Sequence, residues 1–238
     1  RDSSTSRGLG DVYKRQFHNS VIIIEKRWEI VYNKFNCGTE SICRPQREGI
    51  LASALFRKEF STMYTAKDIR NLALLGHGGD GKSALCESML YVTKAITRLG
   101  KRADGTTVSD FDDEEKKRQY SIKTSVIPVE FGGCKLNVLD NPGYFDFAAE
   151  IVQSLRVADA GLICLTAKSG IAVGTEKGWK SLADAGLPAM FYVSKLDEEH
   201  ANFFNTFDSL RDIFGASVIP FTFPILHGEE AVGVVDLV

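Results

Sequence analysis

The most constraining feature of the sequence is a glycine-rich stretch of eight residues, GHGGDGKS, at positions 76–83. It fits the pattern G-x-x-x-x-G-K-[ST], and it lies between an apolar run at 72–75 and a helix-like segment that begins at Ser83. Glycines let a loop turn its backbone N–H groups inward toward phosphate oxygens, and a following helix adds its positive N-terminal end. The stretch predicts a phosphate-binding loop; a chance glycine-rich turn is the competing interpretation.

Every residue of this loop is a candidate ligand of a nucleotide. Lys82 is placed to neutralise the outer phosphates, and the Ser83 hydroxyl is a candidate ligand of Mg²⁺. The loop alone permits ATP or GTP, and it permits a kinase, an ATPase or a switch protein. The candidate nucleotide-binding residues are Gly76, His77, Gly78, Gly79, Asp80, Gly81, Lys82 and Ser83.

Strand and helix patterns alternate from Asp68 onward. The apolar stripe from Leu85 to Leu99 predicts a helix that Gly100 ends, and Gly132-Gly133 predicts a hairpin between two strands. The alternation predicts an α/β fold of the phosphate-loop NTPase type, with a doubly wound, mostly parallel sheet and one antiparallel edge hairpin. Strands are predicted at 69–75, 126–131, 135–139, 161–167 and 189–194, and further helical stripes at 147–158, 179–183 and 203–214. We interpret their aromatic residues as core packing.

Composition limits the partners and the cellular location that we expect for the chain. Its 238 residues carry a formal net charge of -2, which gives no electrostatic reason to expect DNA or an anionic membrane as a partner. No apolar stretch approaches the roughly 20 residues that a membrane helix needs. The five cysteines show no metal-binding spacing, so we expect reduced thiols in a cytoplasmic protein.

Residues 1–62 differ in character from the rest. Residues 1–16 resemble translated sequencing-adaptor read-through, and residues 17–62 lack a helical or strand pattern that persists. We therefore expect a non-native or disordered leader and a natural start at Met63. A genuine extension that binds a partner is the alternative.

Two polar motifs follow apolar strands farther along the chain. In the first, residues 140–143 (DNPG), the Asp140 carboxylate can hold Mg²⁺ through a water across the site from Ser83, and Gly143 lets its N–H approach a terminal phosphate. An ordinary Asx turn is the alternative interpretation. In the second, residues 194–197 (SKLD), the order of residues is similar to the guanine-reading motif N-K-x-D, with serine in place of asparagine. Asp197 could accept two hydrogen bonds from guanine, which adenine does not offer, and Lys195 could cover the ring.

Taken together, these motifs resemble those of translational GTPases of the elongation factor G family, over about residues 64–238. The similarity includes residues 154–160 (SLRVADA), 174–176 (GTE) and 193–197 (VSKLD). The loop form GHGGxGKS resembles an elongation factor G-like side branch more than the main translocase, whose loop usually reads GHIDAGKT. This resemblance implies a cytoplasmic GTPase that binds GTP or GDP with Mg²⁺ and acts on the ribosome.

The resemblance also implies roles for further residues. Residues 118–122 (RQYSI) occupy the place of the family's R-G-I-T-I switch, within a charged segment at 104–124, so Ser121 stands where a threonine binds Mg²⁺. Tyr144 stands where the family has a histidine that orients the attacking water. Lys82 and Tyr144 are the catalytic candidates. Because a phenol cannot become a cation near neutral pH, Tyr144 can at most position water.

The expected domain division is a leader at 1–62, a GTP-binding domain at 63–223, and the start of the family's insertion at 224–238. The Ser-Ala turn that completes the family's guanine site does not occur before Val238, so we expect a domain that is incomplete at its C-terminus. Three alternative functions stay open. The first is a GTP-binding module with weak or no hydrolysis, the second is a ribosome-protection factor of the tetracycline-resistance type, and the third is a phosphate-loop ATPase or kinase.

Overall fold

The computed structural model describes residues 21–25, 64–227 and 230–237. Strands and helices alternate along most of this range. The described strands are β1 (Val21–Glu25), β2 (Ile69–Gly76), β3 (Ser125–Phe131), β4 (Cys134–Asp140), β5 (Ala160–Thr166), β6 (Ala189–Ser194), β7 (Val218–Pro220), β8 (Thr222–His227) and β9 (Glu230–Asp236). The described α-helices are α1 (Lys82–Val92), α2 (Asp113–Arg118), α3 (Ala148–Leu155), α4 (Val173–Asp184) and α5 (Phe203–Phe214).

Seven of these strands form one sheet in the order β3-β4-β2-β5-β6-β1-β7. β4, β2, β5 and β6 run parallel to one another, whereas β3 joins β4 as an antiparallel edge hairpin. Its turn residues Gly132 and Gly133 have φ of 58° and 80°. Positive φ at both positions suits the turn types that match the twist of a hairpin, and glycine adopts it without strain. The predicted mostly parallel fold with an antiparallel hairpin is confirmed.

The sheet contains one strand that the sequence pattern did not predict. β1, from the leader, lies antiparallel between β6 and β7. Residues 17–62 show no strand pattern that persists, yet Val21–Glu25 forms a strand of five residues. Its valine and three isoleucines have high β-propensity, and pairing with β6 and β7 satisfies their backbone groups. Residues 1–20 and 26–63 lie outside the described part, and the proposed domain boundaries stay predictions.

The core has two layers, one on each face of the sheet. Adjacent residues of β2 and β5 enter opposite layers: Leu74 and Leu162 on one face, Leu75 and Ile163 on the other. A strand covered on both faces therefore reads as a continuous apolar run. The layers are closed by Leu85 and Leu90 of α1 on one side, and by Leu182 of α4 and Phe203, Phe207 and Leu210 of α5 on the other. The interpretation of the aromatic stripe as core is confirmed for α5.

Two elements between β2 and β3 differ from the prediction. α1 ends at Val92 rather than at Gly100, because Lys94 has a left-handed φ of 61° and the N–H groups of Lys94 and Ala95 cap the Tyr91 and Leu90 carbonyls at 3.1 and 2.9 Å. The charged segment contains the short helix α2, whose N-cap Asp112 accepts from the Glu114 N–H at 3.1 Å. A helix of six residues, all of them charged, has no apolar periodicity, so the sequence pattern could not indicate it.

Candidate nucleotide site

The predicted phosphate loop joins the carboxyl end of β2 to the first residue of α1. The Lys82 ammonium lies in this loop and donates to the carbonyls of Gly76 at 3.1 Å and His77 at 2.8 Å. The loop borders a cavity of about 360 Å³, which suits a small-molecule ligand. The predicted site residues that line it are Gly78, Gly79, Gly81, Lys82, Ser83, Ser121, Gly143, Tyr144 and Lys195.

Two predicted ligands brace the loop from behind instead. The Asp80 carboxylate accepts the His77 backbone N–H at 2.8 Å, and the Ser194 hydroxyl donates to the Asp80 carbonyl at 3.0 Å. Burial raises the pKa of Asp80, and the hydrogen bond from His77 opposes that rise. Both contacts hold the backbone of the loop, so Asp80 and Ser194 position the groups predicted to bind phosphate. The short serine is sufficient for this bracing contact.

Ser83 and Asp140 form the centre of the predicted metal site. The Ser83 hydroxyl donates to Oδ2 of Asp140 at 2.7 Å, while Oδ1 is buried and has no partner among the described residues. Asp140 is 1% exposed, and this burial raises its pKa despite the Ser83 hydrogen bond and the Lys82 charge. Burial lowers the pKa of Lys82, and the nearby Asp140 charge opposes that change. The predicted proximity of Lys82 and Asp140 is therefore present.

This donor set fits Mg²⁺, which prefers oxygen ligands and usually keeps waters and substrate phosphates in its shell. The unpartnered Oδ1 of Asp140 could accept a hydrogen bond from a water in that shell. Within the described residues, no group of three or more His, Cys, Asp or Glu side chains could hold a metal ion. A metal here would therefore depend on serine hydroxyls and on the phosphates of the ligand.

Ser121 reaches this centre through an arginine that the sequence analysis missed. Nη2 of Arg102 donates to the Ser83 hydroxyl at 2.8 Å and to the Ser121 hydroxyl at 3.3 Å. Its Nε donates to the buried Asp110 at 3.0 Å, and Ser121 donates to the same carboxylate at 2.7 Å. Arg102 and Asp110 are eight positions apart in an irregular segment, so no sequence periodicity could have paired them.

Gly143 and Tyr144 lie against the phosphate loop. A Cβ atom at Gly143 would be 2.6 Å from the Lys82 ammonium and 2.7 Å from the Gly78 nitrogen, so only glycine fits this contact. The Tyr144 ring stands over Gly78, with its centroid 4.8 Å from that of Tyr120. Tyr144 is 43% exposed. The two rings thus pack against each other at a tilt of 59°, at the wall of the cavity.

The predicted base-reading residues follow the carboxyl end of β6. Lys195 has a left-handed φ of 57°, lines the cavity and forms an ion pair with Glu198 at 3.1 Å. Asp197 is exposed two residues later and does not line the cavity. Gly174, in the first turn of α4, also contributes to this region, since a Cβ there would be 2.7 Å from the His77 backbone. The first turn of α4 therefore supports the phosphate loop.

Residues 67–232 match the family described as "Elongation factor Tu GTP binding domain". The chain belongs to this family. GTP binding, GTPase activity and protein biosynthesis are characteristic of it, and its members generally bind nucleotide with Mg²⁺. The family prediction made from the motifs is confirmed.

The relatives point to the elongation factor G side of this GTP-binding family. An elongation factor G-like protein of Mycobacterium tuberculosis is 35% identical over 168 residues, which is 71% of this chain and 23% of that protein. Elongation factor G of Mycoplasma genitalium is 31% identical over 172 residues, or 72% and 25% of the two chains. A crystal structure of a Thermus thermophilus protein matches at 38% identity with a TM-score of 0.66, covering 71% of this chain and 25% of that one. The chain thus spans about a quarter of the length of each relative.

Among the described residues, no helix has both the length and the apolar character of a membrane span.

Proposed function

We propose that the chain binds GTP and Mg²⁺ in this cavity and hydrolyses the GTP as part of a ribosome-linked switch. The single observation that supports the proposal best is the hydrogen bond from Ser83 to the buried Asp140, directly beside Lys82 and the glycine loop. A hydroxyl and a carboxylate held in this way, next to a buried ammonium, suit a metal ion bound to phosphate.

In the proposed complex, the backbone N–H groups of the loop and the Lys82 ammonium stabilise the phosphate charge. Bound Mg²⁺ would neutralise negative charge that develops on the phosphates during hydrolysis. Ser83 and Ser121 would supply hydroxyl ligands, and Asp140 would accept from a metal-bound water. Gly143 lies close enough to the loop for its N–H to reach a terminal phosphate.

Base selectivity is the part of the proposal that depends on Lys195 and Asp197. The test is competition of GTP and ATP against a fluorescent GDP analogue. We expect GTP to compete at concentrations at least about 100-fold lower than ATP, because unpaired polar groups reject the wrong base strongly. Asp197→Ala should reduce this preference, whereas Asp208→Ala, on the exposed face of α5, should not. A preference for ATP would refute the base-reading role.

A second candidate, a GTP-binding module with little hydrolysis, is favoured by one observation. Tyr144 stands where the family has a water-orienting histidine, and its ring packs on Gly78 and Tyr120. Single-turnover GTP hydrolysis separates the two functions. If the Tyr144 hydroxyl positions water, Tyr144→Phe should slow cleavage about 100-fold or less, the lower range of acid–base contributions, and leave GTP affinity unchanged. If the original chain and the Tyr144→Phe variant hydrolyse GTP equally fast, the Tyr144 hydroxyl has no role in hydrolysis.

The ribosome is the proposed partner, and the cytoplasm the proposed location, because the relatives are an elongation factor G and a G-like protein. Hydrolysis measured with and without ribosomes tests this part. We expect ribosomes to stimulate cleavage, and equal rates would exclude the ribosome as the stimulus.

A further inference from the structure

Arg102 is placed where it can control access of a metal ion to the nucleotide site. It begins the 3₁₀ turn Arg102–Asp104, and its side chain lines the same cavity as the phosphate loop. Its guanidinium bridges three side chains: it donates to Ser83, to Ser121 and to Asp110. The bridge connects the loop that would hold the phosphates to the segment that would close over them.

The hydrogen-bond directions at the two serines decide what this bridge can do. A hydroxyl has one proton and two lone pairs. Ser83 gives its proton to Asp140, and Ser121 gives its proton to Asp110, at 2.7 Å in both cases. Their lone pairs accept from Arg102. One lone pair remains on each oxygen, and a metal ion that used it would have to approach beside the guanidinium.

Electrostatic repulsion also opposes binding of a metal ion beside Arg102. A guanidinium and a divalent cation repel each other strongly at such short range in a partly buried site. Asp110 is 2% exposed, and its carboxylate also accepts from the Thr107 hydroxyl at 3.4 Å. The Arg102 side chain is 34% exposed, so the guanidinium has room to leave the serines while Asp110 keeps its hydroxyl partners.

We propose that Arg102 and Mg²⁺ compete for the Ser83 and Ser121 hydroxyls, so that Arg102 sets the Mg²⁺ concentration at which the site closes on nucleotide. The guanidinium fastens the segment around Ser121 to the phosphate loop at low Mg²⁺ and withdraws as the metal site fills. This inference rests on the proposed function, since it assumes that a nucleotide and its metal bind in this cavity. By linkage, a residue that competes with the metal must weaken metal binding, and its removal must strengthen it.

The test is a Mg²⁺ titration of fluorescent mant-GDP binding by the full chain. We expect Arg102→Gln to lower the half-saturating Mg²⁺ concentration about tenfold, which corresponds to about 1.4 kcal/mol. Lys101→Gln removes the same charge from an exposed neighbour and should leave the midpoint unchanged. A midpoint in Arg102→Gln that equals or exceeds that of the original chain overturns the proposal, and so does loss of mant-GDP binding in a folded Arg102→Gln variant.

A second variant guards against misfolding, because Arg102→Gln leaves Asp110 buried without its cation. The double variant Arg102→Gln/Asp110→Asn removes both charges, and it should show the same low midpoint. Hydrogen exchange gives a readout that does not depend on nucleotide. Without Mg²⁺, the amides of residues 119–123 should exchange faster in Arg102→Gln than in the original chain, and equal rates would contradict the bridging role.

Failure of this inference differs from failure of the proposed function. If the original chain binds no mant-GDP even with saturating Mg²⁺, the proposed function is wrong. If it binds mant-GDP and responds to Mg²⁺, but the midpoint is the same in Arg102→Gln, only the competition is wrong.

Discussion

Replacing Gly143 by alanine is the sharpest test of the phosphate site. The φ of Gly143 is not among the positive values, so alanine can adopt the backbone conformation there. Its Cβ, however, would lie 2.7 Å from the Gly78 nitrogen and 2.6 Å from the Lys82 ammonium. Non-bonded heavy atoms are most stable at about 3.5–4.0 Å, so the two segments must separate by about 0.8 Å. Lys82 can move its side-chain end, but the Gly78 nitrogen belongs to the backbone.

The cost of this separation follows from the hydrogen bond that Gly78 would offer a phosphate. An N–H···O bond of about 2.9 Å that lengthens by about 0.8 Å is no longer a hydrogen bond. Hydrogen bonds to charged groups contribute about 1.5–3 kcal/mol. Loss of one such bond should therefore weaken nucleotide binding about 10- to 150-fold.

The assay is titration of a mant-labelled, non-hydrolysable GTP analogue, which carries the terminal phosphate, at saturating Mg²⁺, with thermal denaturation to confirm folding. Gly233→Ala is the matched control, because the nearest atom to its added Cβ is 3.4 Å away, an ordinary contact, and β9 lies outside the residues that line the cavity. We expect the control to bind normally. A folded Gly143→Ala variant whose affinity stays within about threefold of the original would refute the assignment of this loop to phosphate, since its predicted loss is about tenfold or more.

Three further predictions address buried charge and thiols. Lys82→Ala should weaken mant-GDP binding about 100-fold or more while the fold persists, since it removes charge-assisted hydrogen bonds to phosphate; unchanged affinity would mean that the site lies elsewhere. Asp140→Asn should raise the melting temperature at pH 7 without ligand. Burial raises the pKa of Asp140 in the folded chain above its ordinary 3.8, so the ionised carboxylate lowers stability at any pH above the folded and unfolded pKa. This gain should shrink as the pH falls toward 3.8, and a gain that grew instead would contradict the sign of the shift. At pH 8, iodoacetamide should modify Cys134 in the folded chain and spare Cys86 and Cys164, since burial raises the pKa of Cys164 to about 12 and that of Cys86 well above its ordinary value; peptide mass spectrometry measures the pattern.

Local sequence predicted most of the fold because its strands and loops obey short-range rules. The glycine pattern located the phosphate loop, and the Gly132-Gly133 turn located the hairpin. The end of α1 was less predictable, since its apolar spacing continues to Leu99 although the helix stops at Val92. Periodicity reports which face of a segment is apolar, whereas the left-handed backbone of Lys94 and the capping N–H groups of Lys94 and Ala95 end the helix.

The candidate site likewise has residues that motifs predict and contacts that only the folded chain creates. Lys82, Ser83 and Asp140 could be named from motifs, because each residue type has a chemical use at that spacing. The contact between Asp80 and Ser194 that braces the loop could not be predicted. These residues are 114 positions apart and meet only because β2 and β6 end at the same edge of the sheet.

The sequence by itself determined the class of fold and the phosphate loop, because both depend on residues that are neighbours along the chain. Tertiary structure alone decided that Arg102 bridges Ser83 and Ser121, since each contact spans 19 positions. It also decided that Val21–Glu25 pairs with β6. A side chain or a strand edge has no partner until the chain has folded, and a linear pattern carries no record of which distant group will satisfy it.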